Sequence, residues 1–203
     1  MTRNTFFNKN TNHQIKTSGF GLIELLISIS IMILVTSIVL SQHNAFNSSV
    51  LLKSQAYEIA LQAREVQLNA VSIVGDGTPD FRKVYGLHFN KLTGANDSYK
   101  IFQDAGDDNF YNGASEQFGK QGKLDSRFII SGIRTMDGTT VDDDTINDIS
   151  VIFERPNFDA RFFTGPNSEV SDAISSIEID IKLEATGEVR IIEITKTGQI
   201  SVI

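Results

Sequence analysis

The chain has no cysteine, no tryptophan and only three prolines in 203 residues. Without cysteine there is no disulfide framework, no thiolate metal site and no cysteine nucleophile. Basic residues are in deficit as well: 18 Lys and Arg face 25 Asp and Glu, a formal charge of −7 at pH 7. Affinity for nucleic acid rests on Lys and Arg, so this balance argues against a nucleic-acid partner. Histidine is scarce, with His13, His43 and His88 the only three. No His-Glu-x-x-His, Gly-x-Ser-x-Gly or Cys-His set is present to organise a base and a nucleophile, which argues against an enzyme. A phosphate loop at residues 113–120 also fails. Gly113 and Gly119 enclose five residues instead of four, and Gln121 stands where a Ser or Thr would meet magnesium.

What charge there is has an uneven distribution. Residues 1–19 hold Arg3, Lys9 and Lys16 and no acid, which leaves 15 bases against 25 acids in the rest of the chain. Between the basic head and the acidic body lies an apolar run, residues 20–40, FGLIELLISISIMILVTSIVL, whose single charge is Glu24. As a helix it would be about 31 Å long, enough for one hydrocarbon core. Fourteen of its residues are Ile, Leu, Val or Phe, which together favour insertion by about 4–8 kcal/mol. A carboxylate costs about 3 kcal/mol at the bilayer centre and less near the edge, where Glu24 falls, so insertion prevails. The alternation Ile27-Ser28-Ile29-Ser30-Ile31 suggests a strand locally, but only a helix satisfies its own backbone in lipid. The basic head stays cytoplasmic and the acidic body is sent outward.

An ordinary secretory signal accounts for the basic head but not for so long an apolar run, and Ser41-Gln42-His43 is a poor cleavage site. A plain anchor leaves Glu24 without a purpose. The stretch Thr17-Ser18-Gly19-Phe20-Gly21-Leu22-Ile23-Glu24-Leu25-Leu26 resembles the leader junction of type IV pilins and type II secretion pseudopilins. That resemblance implies that a prepilin peptidase cuts between Gly19 and Phe20 and methylates the new amine of Phe20. It also makes Glu24 the fifth mature residue, the family's assembly glutamate; Gly21 departs from the Thr that relatives often carry. The implied partners are other pilin or pseudopilin subunits, the prepilin peptidase, the inner-membrane assembly platform and, before assembly, membrane lipid. The implied location is a single pass through the cytoplasmic membrane, with the head outside the cytoplasm, followed by a pilus or pseudopilus.

Helical spacing continues past the membrane segment. Leu52, Ala56, Ile59, Ala63, Val66, Ala70 and Ile73 recur at steps of four and three, while Lys53, Glu58, Arg64 and Glu65 lie off the stripe. This face is expected to rest on the protein's own sheet, with alanines allowing close approach; a partner helix is the alternative. The breakers Gly75-Asp76-Gly77-Thr78-Pro79 are expected to end the helix. Short β-type runs follow at 84–89, 99–103, 127–133, 149–154, 161–164, 174–183, 189–195 and 199–203, with turn signals at 93–96, Asp137-Gly138, Arg155-Pro156-Asn157, Thr186-Gly187 and Thr197-Gly198. The last three runs read as a hairpin plus a third strand. The expected fold is therefore α+β: a long N-terminal helix, transmembrane in its first half, on a C-terminal antiparallel sheet. Its parts are a leader (1–19), a membrane helix (20–40), an amphipathic continuation (41–75) and a β-rich head (76–203).

In the body, Leu61-Gln62-Ala63-Arg64-Glu65, the stretch Phe102-Gln103-Asp104-Ala105-Gly106-Asp107-Asp108-Asn109 with Glu116 after it, and the ending Thr195-Lys196-Thr197-Gly198-Gln199-Ile200-Ser201-Val202 resemble the GspH/FimT-like minor pilins. Some of those bind DNA through a basic C-terminal patch, but here Lys182, Arg190 and Lys196 are offset by Glu184, Glu188 and Glu193. A surface module for adhesion or DNA uptake on a pilin-type anchor is the alternative to a structural subunit. One loop has the composition of a cation site. Asp104, Asp107, Asp108, Asn109, Asn112 and Glu116 offer the oxygens calcium prefers, with Asp104, Asp108, Asn112 and Glu116 as the candidate set for Ca2+. It does not fit the EF-hand spacing, and a solvated acidic turn is the competing reading. Asp142-Asp143-Asp144 reads as a surface turn, and His88, inside a β run, as a packing residue.

Overall fold

The computed structural model describes residues 21–72, 84–138, 140–153 and 158–203. The chain divides into two compact units, Met1–Asn44 and Ala45–Ile203. Gly19 and Phe20, Ile73, the breaker cluster 75–79 and the turn 155–157 lie outside the described residues. Helix α1 spans Leu22–Val71, so it begins two residues after, and ends four residues before, the bounds expected from sequence.

In the first unit the helix is apolar all round. From Leu22 to Leu40 its mean hydropathy is 2.5 and none of it is buried within the protein. Three of its hydroxyls turn back on the helix itself. Ser28 Oγ donates to the Glu24 carbonyl at 2.8 Å, Ser30 Oγ to Leu26 at 2.8 Å and Thr36 Oγ1 to Met32 at 2.6 Å. Hydroxyls bonded to the carbonyl four residues earlier ask nothing of the surroundings, which reconciles the Ile-Ser alternation with a helix.

The second unit contains ten described strands: β1 (Tyr85–Asn90), β2 (Ser98–Gln103), β3 (Gly122–Lys123), β4 (Phe128–Asp137), β5 (Thr140–Asp143), β6 (Asp148–Phe153), β7 (Ala160–Phe163), β8 (Ser176–Leu183), β9 (Val189–Thr195) and β10 (Ile200–Val202). One expected sheet becomes two. The first has the order β3-β2-β1-β6-β7 and the second β10-β9-β8-β4-β5, with every described pairing antiparallel. Two short edge strands, β3 and β5, were not expected. Asp142 and Asp143 belong to β5 instead of a surface turn, because the Gly138 turn folds that segment back onto the end of β4.

The stripe on α1 does rest on the protein's own sheets. Leu52, Ala56, Ile59, Ala63, Val66 and Ala70 are buried in one cluster with Leu87, Phe89 and Val151 of the first sheet and Ile133, Ile179, Ile181 and Ile194 of the second. Polar side chains fix the helix to both sheets at its margins. Tyr99 Oη donates to Gln62 Oε1 at 2.7 Å, and Arg64 Nη2 donates to the Ile200 carbonyl at 2.9 Å. Gln67 Nε2 donates to the carbonyls of Phe158 at 2.7 Å and Gly198 at 2.9 Å. Gly198 has φ +80°, and a Cβ there would sit 1.9 Å from the Phe158 carbonyl oxygen. Only glycine fits a left-handed turn pressed this closely onto backbone.

Alternation along the strands gives the first sheet a second, outer face. Phe102, Ile152 and Phe163 form a separate buried cluster there, with Phe110 and Tyr111 against it. Those two rings come from the loop between β2 and β3, which therefore covers one end of the outer face. Gly86 makes this possible: a Cβ there would meet the Phe102 ring at 2.7 Å.

Candidate functional site

Three places bear on function. The first is the start of α1. Glu24 lies in the first turn, where its amide donates to the Gly21 carbonyl at 3.0 Å, and a carboxylate here is favoured by the positive end of the helix dipole. A Cβ at Gly21 would meet nothing closer than Ile23 Cγ2 at 3.9 Å, so the departure from Thr has no steric cause. Around Glu24 the apolar side chains are bare: Leu22 is 79% exposed and Met32 71%. Gly19 and Phe20, the pair expected from the sequence to flank a cleavage site, lie outside the described residues.

The second is the acidic loop. Asp104 is buried and its two carboxylate oxygens accept backbone amides: Oδ1 from Gly106 at 3.1 Å and Asp108 at 3.4 Å, Oδ2 from Asn109 at 2.7 Å. Asp108 Oδ1 accepts from Phe110 N at 3.1 Å, and its Oδ2 from Asn112 Nδ2 at 2.6 Å. Glu116, also buried, accepts from Asn112 N at 2.8 Å through Oε2. Asp107 and Asn109 occupy left-handed backbone, φ 55° and 65°, a conformation Asp and Asn tolerate better than most. The candidate calcium set thus comes together, but its oxygens organise the loop's own backbone. Among the described residues no group of three or more His, Cys, Asp or Glu is arranged to hold a metal ion. Further on, Gln121 closes the segment by accepting from Ile101 N at 2.9 Å and donating to Ile101 O at 3.0 Å, a side-chain amide in place of a strand.

The third was not anticipated. Beside the loop, the open end of the outer face is a cavity of about 230 Å³ lined by His88, Asn90, Ser98, Lys100 and Tyr111. The β1–β2 turn at Gly94 and Ala95 forms its rim. Strand register makes the cluster: His88 stands directly between Lys100 on β2 and Ser150 on β6. His88 is only 8% exposed, and the rings of Phe110 and Tyr111 lie 5.2 Å from its own. Burial, then the nearby Lys100 charge, lowers its pKa from 6.5 to about 4, so the imidazole is neutral at pH 7. Burial pushes the Asp148 carboxyl up from its ordinary value. The alternation of Gly86, His88 and Asn90 with Leu87 and Phe89 was readable in the sequence, but the partner strands were not.

No family model, curated protein or solved structure matches the chain.

Proposed function

We propose that this protein is a structural subunit of a filament assembled through its N-terminal helix, of the type IV pilus or type II secretion pseudopilus kind, with the GspH/FimT-like minor pilins as the subgroup. The observation that carries the reading, beyond the junction sequence, is a second stripe on α1. Val50, Tyr57, Leu61 and Leu68 are 50%, 47%, 62% and 59% exposed and recur at steps of seven, four and seven. At about 100° per residue they lie roughly opposite the buried stripe. A helix that only anchored a head would gain nothing from apolar side chains on its uncovered side, whereas neighbouring helices in a filament would cover them.

The proposed mechanism is assembly. Prepilin peptidase cleaves after Gly19, and the freed, methylated Phe20 amine of one subunit pairs with Glu24 of its neighbour. A buried carboxylate needs an opposite charge, so a stagger wrong by one helical turn leaves it unpaired, and the pair selects the axial register. Lipid is as apolar as the helix, so extraction from the membrane must be driven by external machinery.

Mass spectrometry of the mature chain tests processing: the expected N-terminus is methylated Phe20, and recovery with Met1 intact or with a start beyond Leu40 overturns the reading. Glu24→Ala is expected to insert in the membrane normally yet to be depleted from filaments.

A further inference from the structure

The cavity beside His88 gathers several hydrogen-bond donors on one wall. Ser150 is fully buried, and its Oγ accepts the Tyr111 N–H at 3.2 Å. Among the described residues its own proton has one partner within reach, His88 Nδ1 at 3.0 Å. Nδ1 is therefore the acceptor, and the neutral ring carries its proton on Nε2. Among the described residues that N–H has no hydrogen-bond partner; Asp148 Oδ2 stands 4.0 Å away, beyond hydrogen-bond reach. Asn90 Oδ1 already accepts from Leu92 N at 2.8 Å, which leaves its amide N–H groups. Ser98 Oγ accepts from Lys100 Nζ at 3.2 Å, which leaves its hydroxyl proton. Lys100 pairs with no carboxylate among the described residues, in a chain of net charge −7. Four side chains on the cavity wall thus keep a donor to offer, and one of them carries a full positive charge.

We propose that this cavity binds a small oxyanion, the carboxylate or phosphate group of a solute, with Lys100 supplying the charge and the His88 Nε2–H, Asn90 and Ser98 completing the donor set. A group that only accepts and carries negative charge is the complement of such a wall. The volume of about 230 Å³ suits a molecule of a few heavy atoms, whose body lies along the Tyr111 ring. Asp148 is the competing acceptor for Nε2, and it does not line the cavity. Because the imidazole is buried neutral, it can donate here without the self-repulsion a second cation beside Lys100 would cause. The inference does not depend on the filament reading.

The test is a titration of the full chain in detergent micelles, followed by the imidazole N–H signal of 15N-histidine-labelled protein. The probes share one carbon skeleton: glycerol 3-phosphate, glycerate and neutral glycerol. Either anion should shift the His88 signal saturably below about 10 mM while glycerol does not, and the one that saturates first identifies phosphate or carboxylate as the preferred group. Lys100→Gln, whose melting temperature should match the parent, is expected to weaken binding at least about tenfold, and Lys100→Arg to restore most of it. Absence of saturation by both anions, an equal response to glycerol, or unchanged affinity in Lys100→Gln would overturn the proposal.

Discussion

His88 is a single residue whose charge is set first by its burial and then by the neighbouring Lys100. Lys100 lies across one strand boundary, Ser150 across the other, and Asp148 Oδ2 is 4.0 Å from Nε2. The unfolded chain takes up a proton at pH 6.5, whereas burial holds the folded value at about 4. Between those values the unfolded state binds more protons, so stability rises with pH. The contribution of neutral His88 is complete above pH 6.5 and disappears as pH falls towards 4. The shift corresponds to about 3 kcal/mol. His88→Gln keeps a partner for Ser150 and cannot titrate, so the parent should lose about 3 kcal/mol relative to this variant between pH 7 and pH 4. Melting temperatures of both proteins across that range measure the difference; parallel curves would show that the ring does not titrate against folding. From the sequence this residue read as a packing histidine. Its burial fits that reading, but its donor role rests on Ser150, 62 residues away, and no local pattern reveals which residue will stand opposite another in a sheet.

Elements were legible where spacing is local. The stripe from Leu52 to Ala70 repeats at steps of four and three, so its buried face could be read directly, and Ile177, Ile179 and Ile181 alternate clearly enough to define β8. Edge strands carry no such signal. Gly122-Lys123 has no alternation at all, and Thr140-Val141-Asp142-Asp143 looks like an acidic run until the Gly138 turn sets it against β4. The division into two sheets is equally silent, because β4 pairs with β8 across the 38 intervening residues 138–175. Within the helix, the alanines mark where the sheets come closest. Ala63 is fully buried, so Ala63→Leu adds three carbons to a filled space and should destabilise the head by about 1–3 kcal/mol. Thermal unfolding reads this as a drop of several degrees; an unchanged midpoint would mean the helix sits looser on its sheets than its burial indicates.

At the scale of the whole molecule, two extended apolar surfaces among the described residues remain uncovered: the helix from Leu22 to Leu40 and the Val50–Leu68 stripe. The first has the length and hydropathy to cross a membrane, which gives it a place in a monomer. The second has none, since it belongs to the same compact unit as the acidic, β-rich head. Paired substitution to Leu61→Lys and Leu68→Lys leaves the folded core alone, and the melting transition should move by less than about 0.5 kcal/mol per site. In cells the same variant is expected to reach the membrane and be lost from filaments. Incorporation at the parental level would leave the stripe without a role in assembly.

The bonds that clasp α1 also impose an order on synthesis. Arg64 must wait for the Ile200 carbonyl, 136 residues downstream, and Gln67 for Gly198, 131 residues downstream. Until the ribosome has delivered β10, one flank of the helix keeps its greasy stripe open to whatever shares the compartment. Contacts this distant along the chain form late and slowly, so the helix cannot be clasped on both flanks until nearly the whole head has been translated.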